Sequence, residues 1–371
     1  MNRREFLSDC GKAALVGTLA RGMAIPFRRA ADYTLHIASL ELELAPGKTV
    51  RTTAYNGMVP GPVIRLREGA AATIDVVNDT DREEFVHWHG LEIPSDVDGA
   101  MDEGTPAIPA HGRNSYSFVP RPAGTRWYHS HATAGRDFTR STYSGQFGFL
   151  MIDPASEPGR YDQEVFLAMH DWGPYIMGGD DGFQSVGYNH ASINARLLGS
   201  GEPIRVKENE RVLVHVLNAS ASEAHWLALP GHQFTVLALD GNAVGQSASV
   251  DQLLLNPGER VDAIIEMRQP GVWILGEPRD HVRDMGLGVV VEYAGKTGAP
   301  QWVRPPGLRW SYVDFSGRAT ATGVGAGVAS APGAVQRIPL VFRSEFRGHG
   351  AFEHWTINGK SYPKTDVLSL T

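Results

Sequence analysis

The stretch Phe85-Val86-His87-Trp88-His89-Gly90 places two histidines one residue apart, and Arg126-Trp127-Tyr128-His129-Ser130-His131 does so again. On an extended strand alternate side chains share a face, so His87 and His89 point one way and Trp88 the other; His129 and His131 likewise oppose Ser130. Two such strands lying near one another would converge four imidazoles on one volume. Imidazole serves copper, zinc, nickel and iron well, and oxygen-seeking calcium or magnesium poorly. The spacing therefore predicts a transition-metal site, and residue type alone does not choose among those four metals.

The rest of the sequence has to supply those strands. From Tyr33 onward, alternating runs such as Thr34-Leu35-His36-Ile37 and Ala72-Thr73-Ile74-Asp75-Val76-Val77 are separated by Gly, Pro, Asn and Asp, and long helical periodicity is missing. This predicts an all-β protein built of sandwiches with Greek-key connections. A repeat is visible within it. Ala54-Tyr55-Asn56-Gly57, Pro62 to Glu68 and a strand ending Val76-Val77-Asn78 are answered by Ser192-Ile193-Asn194-Ala195, Pro203 to Glu208 and a strand ending Val216-Leu217-Asn218. Pro109-Ala110-His111-Gly112-Arg113 and Pro122 to Trp127 are answered by Pro257-Gly258-Glu259-Arg260 and Pro270-Gly271-Val272-Trp273. Landmarks recurring in one order make two copies of a unit, here 32–156 and 157–295. After a Gly-, Ala- and Pro-rich linker at 296–335, a third copy opens in 336–371 with Thr356-Ile357-Asn358-Gly359, and the sequence stops before that unit's next strand. Such an orphan strand, with its edge unpaired, is expected to be disordered or borrowed by a neighbour.

The second unit acts as an internal control. With Trp273 set against Trp127, His129-Ser130-His131 falls on Leu275-Gly276-Glu277, and His87-Trp88-His89 falls on His225-Trp226-Leu227. The fold does not need the histidine pairs.

Bulk properties narrow the function. The 371 residues are 42% hydrophobic and 20% charged, enough for two or three domains. Asp and Glu total 41 against 34 Lys and Arg, with several of the bases gathered before Ala30, so nucleic acid is not an expected partner. Residues 1–31 read as a twin-arginine export signal, Arg3-Arg4-Glu5-Phe6-Leu7 preceding a weakly apolar run too short to span a bilayer. A periplasmic or secreted protein without a stable membrane anchor is expected. The only cysteine is Cys10, inside that signal, so a disulfide, a cysteine nucleophile and a thiolate copper centre are all excluded from the exported part.

The motifs His-Trp-His-Gly and Trp-Tyr-His-Ser-His, with Asp98-Gly99 between and Gly145 to Leu150 after, resemble the first domain of the three-domain multicopper oxidases, the laccase and bilirubin-oxidase superfamily of tandem cupredoxin-like sandwiches. Leu227 to His232 with Val261-Asp262-Ala263 resembles that family's ligand-free middle domain. The resemblance implies that the metal is copper, that His87 serves the type 2 ion, that His89 and His129 serve one type 3 ion, and that His131 serves the other. It further implies dioxygen as oxidant, an unknown reducing substrate, and Asp98 as a catalytic acid relaying protons beside the ligands, although Asp98-Gly99 also reads as a plain turn.

The family's type 1 site and the other half of its cluster come from third-domain histidine segments that do not occur here. Four of eight cluster histidines are present, so the resemblance implies a truncated chain with a type 2 and type 3 half-site, no type 1 site, and poor turnover alone. A partner chain supplying the missing ligands, or a non-enzymatic cupredoxin-like scaffold, are the alternatives. His170, His232 and His354 read as structural, His111 and His349 as turn residues, and Met151, Met169, Met267 and Met285 as core or rim residues.

Overall fold

The computed structural model describes residues 30–101, 104–135, 137–154, 160–178, 184–317, 338–345, 354–361 and 364–366. The export signal, His349, Pro363 and residues 367–371 lie outside the described residues.

The first sandwich has eight strands: β1 (Tyr33–Ala45), β2 (Lys48–Tyr55), β3 (Ile64–Arg67), β4 (Ala72–Asn78), β5 (Val86–His89), β6 (Arg113–Phe118), β7 (Gly124–Ser130) and β8 (Phe147–Asp153). They form two four-stranded sheets, β2-β1-β4-β6 and β3-β8-β7-β5. Alternation decides which side chains meet between them: Ala72, Ile74 and Val76 of β4 are buried, and Thr73, Asp75 and Val77 are not. Leu35, Ile37, Ile74 and Val76 from one sheet pack against Ile64, Val86, Trp88 and Tyr128 from the other.

The second sandwich repeats this topology. Its strands are β9 (Gln163–Gly178), β10 (Gln184–Ile193), β11 (Ile204–Val206), β12 (Arg211–Asn218), β13 (His225–Ala228), β14 (Phe234–Leu239), β15 (Asn242–Val250), β16 (Gln252–Leu255), β17 (Arg260–Glu266), β18 (Val272–Gly276) and β19 (Gly288–Tyr293). The sheets run β10-β9-β12-β17-β14-β15 and β11-β19-β18-β13-β16, so β14, β15 and β16 are additions to the order seen in the first unit. Gln301 bridges to Trp273, and Phe315 is buried in this unit's core, so part of the Gly- and Pro-rich segment is laid along the second sandwich.

The landmarks that revealed the repeat have physical jobs. Asn56, in the left-handed region at φ 52°, donates its backbone N–H to the His36 carbonyl; its Oδ1 accepts from the His36 N–H at 2.6 Å, and its Nδ2 donates to the Thr34 carbonyl at 3.1 Å. Asn194 makes the same three contacts with Ala168 and Phe166. Asn78 and Asn218 are fully buried at the ends of β4 and β12, where the carboxamide of Asn78 donates to the Arg82 and Ile108 carbonyls and that of Asn218 to the Glu223 and Leu255 carbonyls.

Asn358 closes the same clamp on Val341 and Pro339, at 2.9 and 3.1 Å. The asparagine landmark of the third segment thus has the same geometry as the other two, and its strand, expected to be disordered or borrowed, has a partner within the chain. It is β21 (His354–Ile357), paired antiparallel with β20 (Phe342–Glu345), a partner the sequence pattern did not reveal. By the clamp register, Leu340 and Phe342 stand where Leu35 and Ile37 stand in the first unit. They are 46% and 63% exposed, against 0% for both of those residues.

The two sandwiches pack face to face. Trp127, Phe147 and Phe149 meet Ala168, Leu217 and Ala219, and Phe166 stacks on His215 at 4.8 Å. His215 is also the centre of a polar bridge: its Nδ1 lies 2.8 Å from Asp262, its Nε2 lies 3.1 Å from Glu164, and Thr125 of the first unit donates to Asp262 at 2.7 Å. Glu164 in turn pairs with Arg65 of the first unit at 2.5 Å. Burial alone would depress the His215 pKa, but its hydrogen bonds to Asp262 and Glu164 raise it to about 9. A folded value above the unfolded value of about 6.5 stabilises the protein fully below pH 6.5, and this contribution is lost as pH rises through 9. Calorimetry from pH 6.5 to 9.5 should show Tm falling by on the order of 5 °C. His225, buried against Asp171 and Glu277, is raised to about 9 as well, so in His215→Gln that slope should fall by about half, and an unchanged slope would remove His215 as a source.

Candidate metal centre

Strands β5 and β7 are direct antiparallel neighbours, and their register sets His87 opposite His129 and His89 opposite Trp127. Val86, Trp88 and Tyr128 point into the core, each at 0% exposure, which turns the histidines to the other face. His87 and His89 are half-buried, His129 is 7% exposed, and His131, just beyond the strand, is exposed. The nearest ligand atoms of His87, His89 and His129 all lie within 4.8 Å of one another. His131 stands at the rim, its ring 5.3 Å from that of His87 and 6.0 Å from that of His129.

Two of the rings are held from behind. His87 Nδ1 lies 2.8 Å from the Asp98 carbonyl, which can only accept, so Nδ1 carries the hydrogen and Nε2 keeps its lone pair. The Asp98 carboxylate is 3.2 Å from the same nitrogen. His129 Nδ1 donates to the Ser130 carbonyl at 3.0 Å, which frees its Nε2 in the same way. Asp98 is positioned by the short helix Ser95–Asp98 and by Gly99, whose φ of 97° suits glycine and whose Cβ, if added, would overlap the Val86 carbonyl. Between the two β7 histidines, Ser130 turns inward and donates to the buried Glu84 carboxylate at 3.0 Å, which Arg140 meets at 3.2 Å. Burial pushes the Glu84 pKa up against those contacts.

The donor set fits a transition ion. His89 Nδ1 and His129 Nε2 are 3.3 Å apart. Two nitrogens about 2.0–2.1 Å from one tetrahedral ion stand roughly 3.3–3.4 Å from each other. Burial and then the charge of Arg260 lower the His89 pKa to about 3, and burial holds His129 well below the usual range, so both rings are neutral, the form that can hold a metal. Trp127 stacks on His129 at 4.1 Å and contacts His89 at 5.1 Å. The second sandwich reaches the site through Gly258, whose Cβ position is 3.7 Å from both His89 and Trp127.

The registers also correct the alignment between the units. Ile64 pairs with Leu150 and Leu150 with Arg126; Ile204 pairs with Val291 and Val291 with Trp273. Trp273 therefore corresponds to Arg126, one residue away from Trp127. The His87–His129 pair corresponds to Ala228–Gly276, and His225 and Glu277 correspond to Glu84 and Ser130. One residue of slip flips a strand face, so His225 and Glu277 sit in the interior. There His225 bonds Asp171 at 2.9 Å and Arg279 pairs with Glu277 at 2.9 Å. The second unit lacks a histidine at the His129 position, as expected, but through Gly276 and not Leu275; at the His87 position it has Ala228, where the sequence alignment had set His225.

His170 and His232, read as structural, are buried and hydrogen-bonded, and the side chain of His354 lies outside the described residues. His170 donates from Nδ1 to the Ala219 carbonyl, His232 is buried between Pro230 and Tyr293, and His111 is an exposed turn residue at φ 52°. Met151, Met169 and Met267 are buried, and Met285 packs against the second core. The sequence pattern missed Arg126 and Arg260 beside the site, because Arg260 read only as a repeat landmark.

Known proteins agree with this geometry. The profile described as multicopper oxidase matches residues 37–157, and a second profile of the same description matches 177–282. The multicopper oxidase MmcO of Mycobacterium tuberculosis is 28% identical over 87% of this chain and 68% of its own length. Laccase-6 of rice is 29% identical over 63% of this chain, and copper resistance protein A of Escherichia coli is 24% identical over 75%; the chain spans 43% and 55% of those relatives. The solved blue copper oxidase of Nitrosomonas europaea superposes with a TM-score of 0.62 at 28% identity, covering 70% of this chain and 85% of that one. Two matched profiles spanning both sandwiches, and relatives of one kind, place this chain in the multicopper oxidase family.

Proposed function

We propose that this chain carries the first-domain half of a copper cluster that, in a complete assembly, couples oxidation of a reducing substrate to reduction of dioxygen to water. The observation that carries this is the convergence of His87, His89 and His129, with Nδ1 of His87 and of His129 held by backbone carbonyls. His87 is the type 2 ligand, His89 and His129 share one type 3 ion, and His131 serves the other. The 3.3 Å separation of His89 Nδ1 from His129 Nε2 supports the shared assignment. Bound copper supplies single-electron chemistry at a site open to dioxygen.

The protein's own residues orient and insulate that site. Asp98 fixes the His87 ring, and its carboxylate can exchange a proton with Nδ1 across 3.2 Å. Trp127 and the Gly258 turn exclude water from one side. No thiolate occurs after Cys10, so the type 1 centre and the other four cluster histidines come from elsewhere, from another part of the protein or from a partner chain. Alone, the chain binds copper and turns over poorly. Its twin-arginine start supports export to the periplasm or beyond, and no described helix is long and apolar enough to cross a membrane.

Copper titration of the whole chain should show uptake that His129→Ala loses. Uptake that does not depend on this histidine would favour a copper-free scaffold and remove the proposal. Asp98→Asn keeps the carbonyl contact and loses the charge, so it should weaken Cu(II) binding by about tenfold with Tm nearly unchanged. An unaltered affinity would strip Asp98 of its role.

A further inference from the structure

We infer that Arg126 and Arg260 act as fixed positive charges on the histidine site and favour Cu(I) over Cu(II) in the ion held by His89 and His129. The inference rests on the copper reading above and assigns a role to two residues outside the ligand set. Both guanidiniums are buried, at 2% and 3% exposure. They cross the boundary between the sandwiches in opposite directions. Arg126 of the first unit donates to the Asp240 carbonyl at 2.5 Å and to Asn242 Oδ1 at 2.9 Å. Arg260 of the second donates to the Thr125 carbonyl at 3.3 Å and to the Gly258 carbonyl at 2.8 Å.

These acceptors are neutral and leave the charge in place, which for Arg260 is offset in part by one half-exposed carboxylate. Asp240 is the carboxylate that pairs with Arg260, at 3.2 Å, and its side chain is 51% exposed. Asp262, whose charge acts on both arginines, is committed to His215 and Thr125. The cations lie against the site. A Cβ on Gly90, the residue after His89, would fall 2.8 Å from Arg260 Nη2 and 3.5 Å from Arg126 Nη1. The Gly258 turn that Arg260 grips is the one touching His89. Charges fixed in a dry interior act at much lower effective dielectric than in water and are little screened by salt. Their repulsion is twice as large for a dication as for a monocation, so they penalise Cu(II) more.

The bland alternative is that both arginines only fasten the domains. Competition against a Cu(I) chelator without oxygen, and against a Cu(II) chelator in air, gives the ratio of the two affinities for the whole chain. In Arg260→Met, which keeps the apolar stem and loses the charge, that ratio should move toward Cu(II) by about tenfold, equivalent to roughly 59 mV for one electron. Arg260→Lys should restore it to within about threefold of wild type, and 0.5 M salt (about a 4 Å screening length) should leave it in place. A wild-type ratio in Arg260→Met alongside a lowered Tm would make the arginines fasteners and overturn the inference. If Arg260→Met does not fold, Arg126→Met carries the same comparison. Wild-type chain that takes up no copper through its histidines would overturn this inference and the proposed function together.

Discussion

The site depends on the pairing register of β5 against β7. His87 lies opposite His129 because Val86, Trp88 and Tyr128 are committed to the opposite face, where each is fully buried. Slipping either strand by one residue would expose a tryptophan or a tyrosine and drive histidines into an apolar core. Burying one large apolar side chain stabilises by about 1.5–3 kcal/mol, so the ligand geometry is enforced by residues that never touch a metal. The same alternation works for Ser130, which turns inward to Glu84 and so fixes its two histidine neighbours outward.

Along that outward face the environment changes in steps. Trp127 is sealed into the contact between the sandwiches, His129 is nearly as buried, and His131 is exposed. The metal centre thus sits where the second sandwich stops covering the first. One flank is dry, bounded by Gly258 and the two arginines, and the other is open to whatever completes the cluster. Through Arg260 the second unit brings positive charge to His89 of the first.

The histidine pairs, the sandwich class and the repeat were legible because they are written at short range, in period-two alternation and in turn residues with one geometric use. Asn56, Asn194 and Asn358 could be matched before any coordinate, since each meets a left-handed position and a fixed set of backbone partners. The failures were of longer range. Two tryptophans made a persuasive anchor, yet Trp273 takes the place of Arg126, because only the cross-strand register tells which residue faces the core. The partner strand Phe342–Glu345 and the charge around His89 were hidden for the same reason. Both depend on segments brought together by the fold and carry no local signature.

The asparagine clamps have a consequence for how the chain comes to be folded. Each one joins residues only 17 to 28 positions apart: 20 and 22 for Asn56, 26 and 28 for Asn194, 17 and 19 for Asn358. Contacts of such short separation cost little loop entropy and favour rapid formation. A polypeptide emerging from the ribosome can therefore fasten the first hairpin of each unit before the strands that will flank it exist. Every unit starts its own assembly, and the long-range sheets are added to a hairpin already closed.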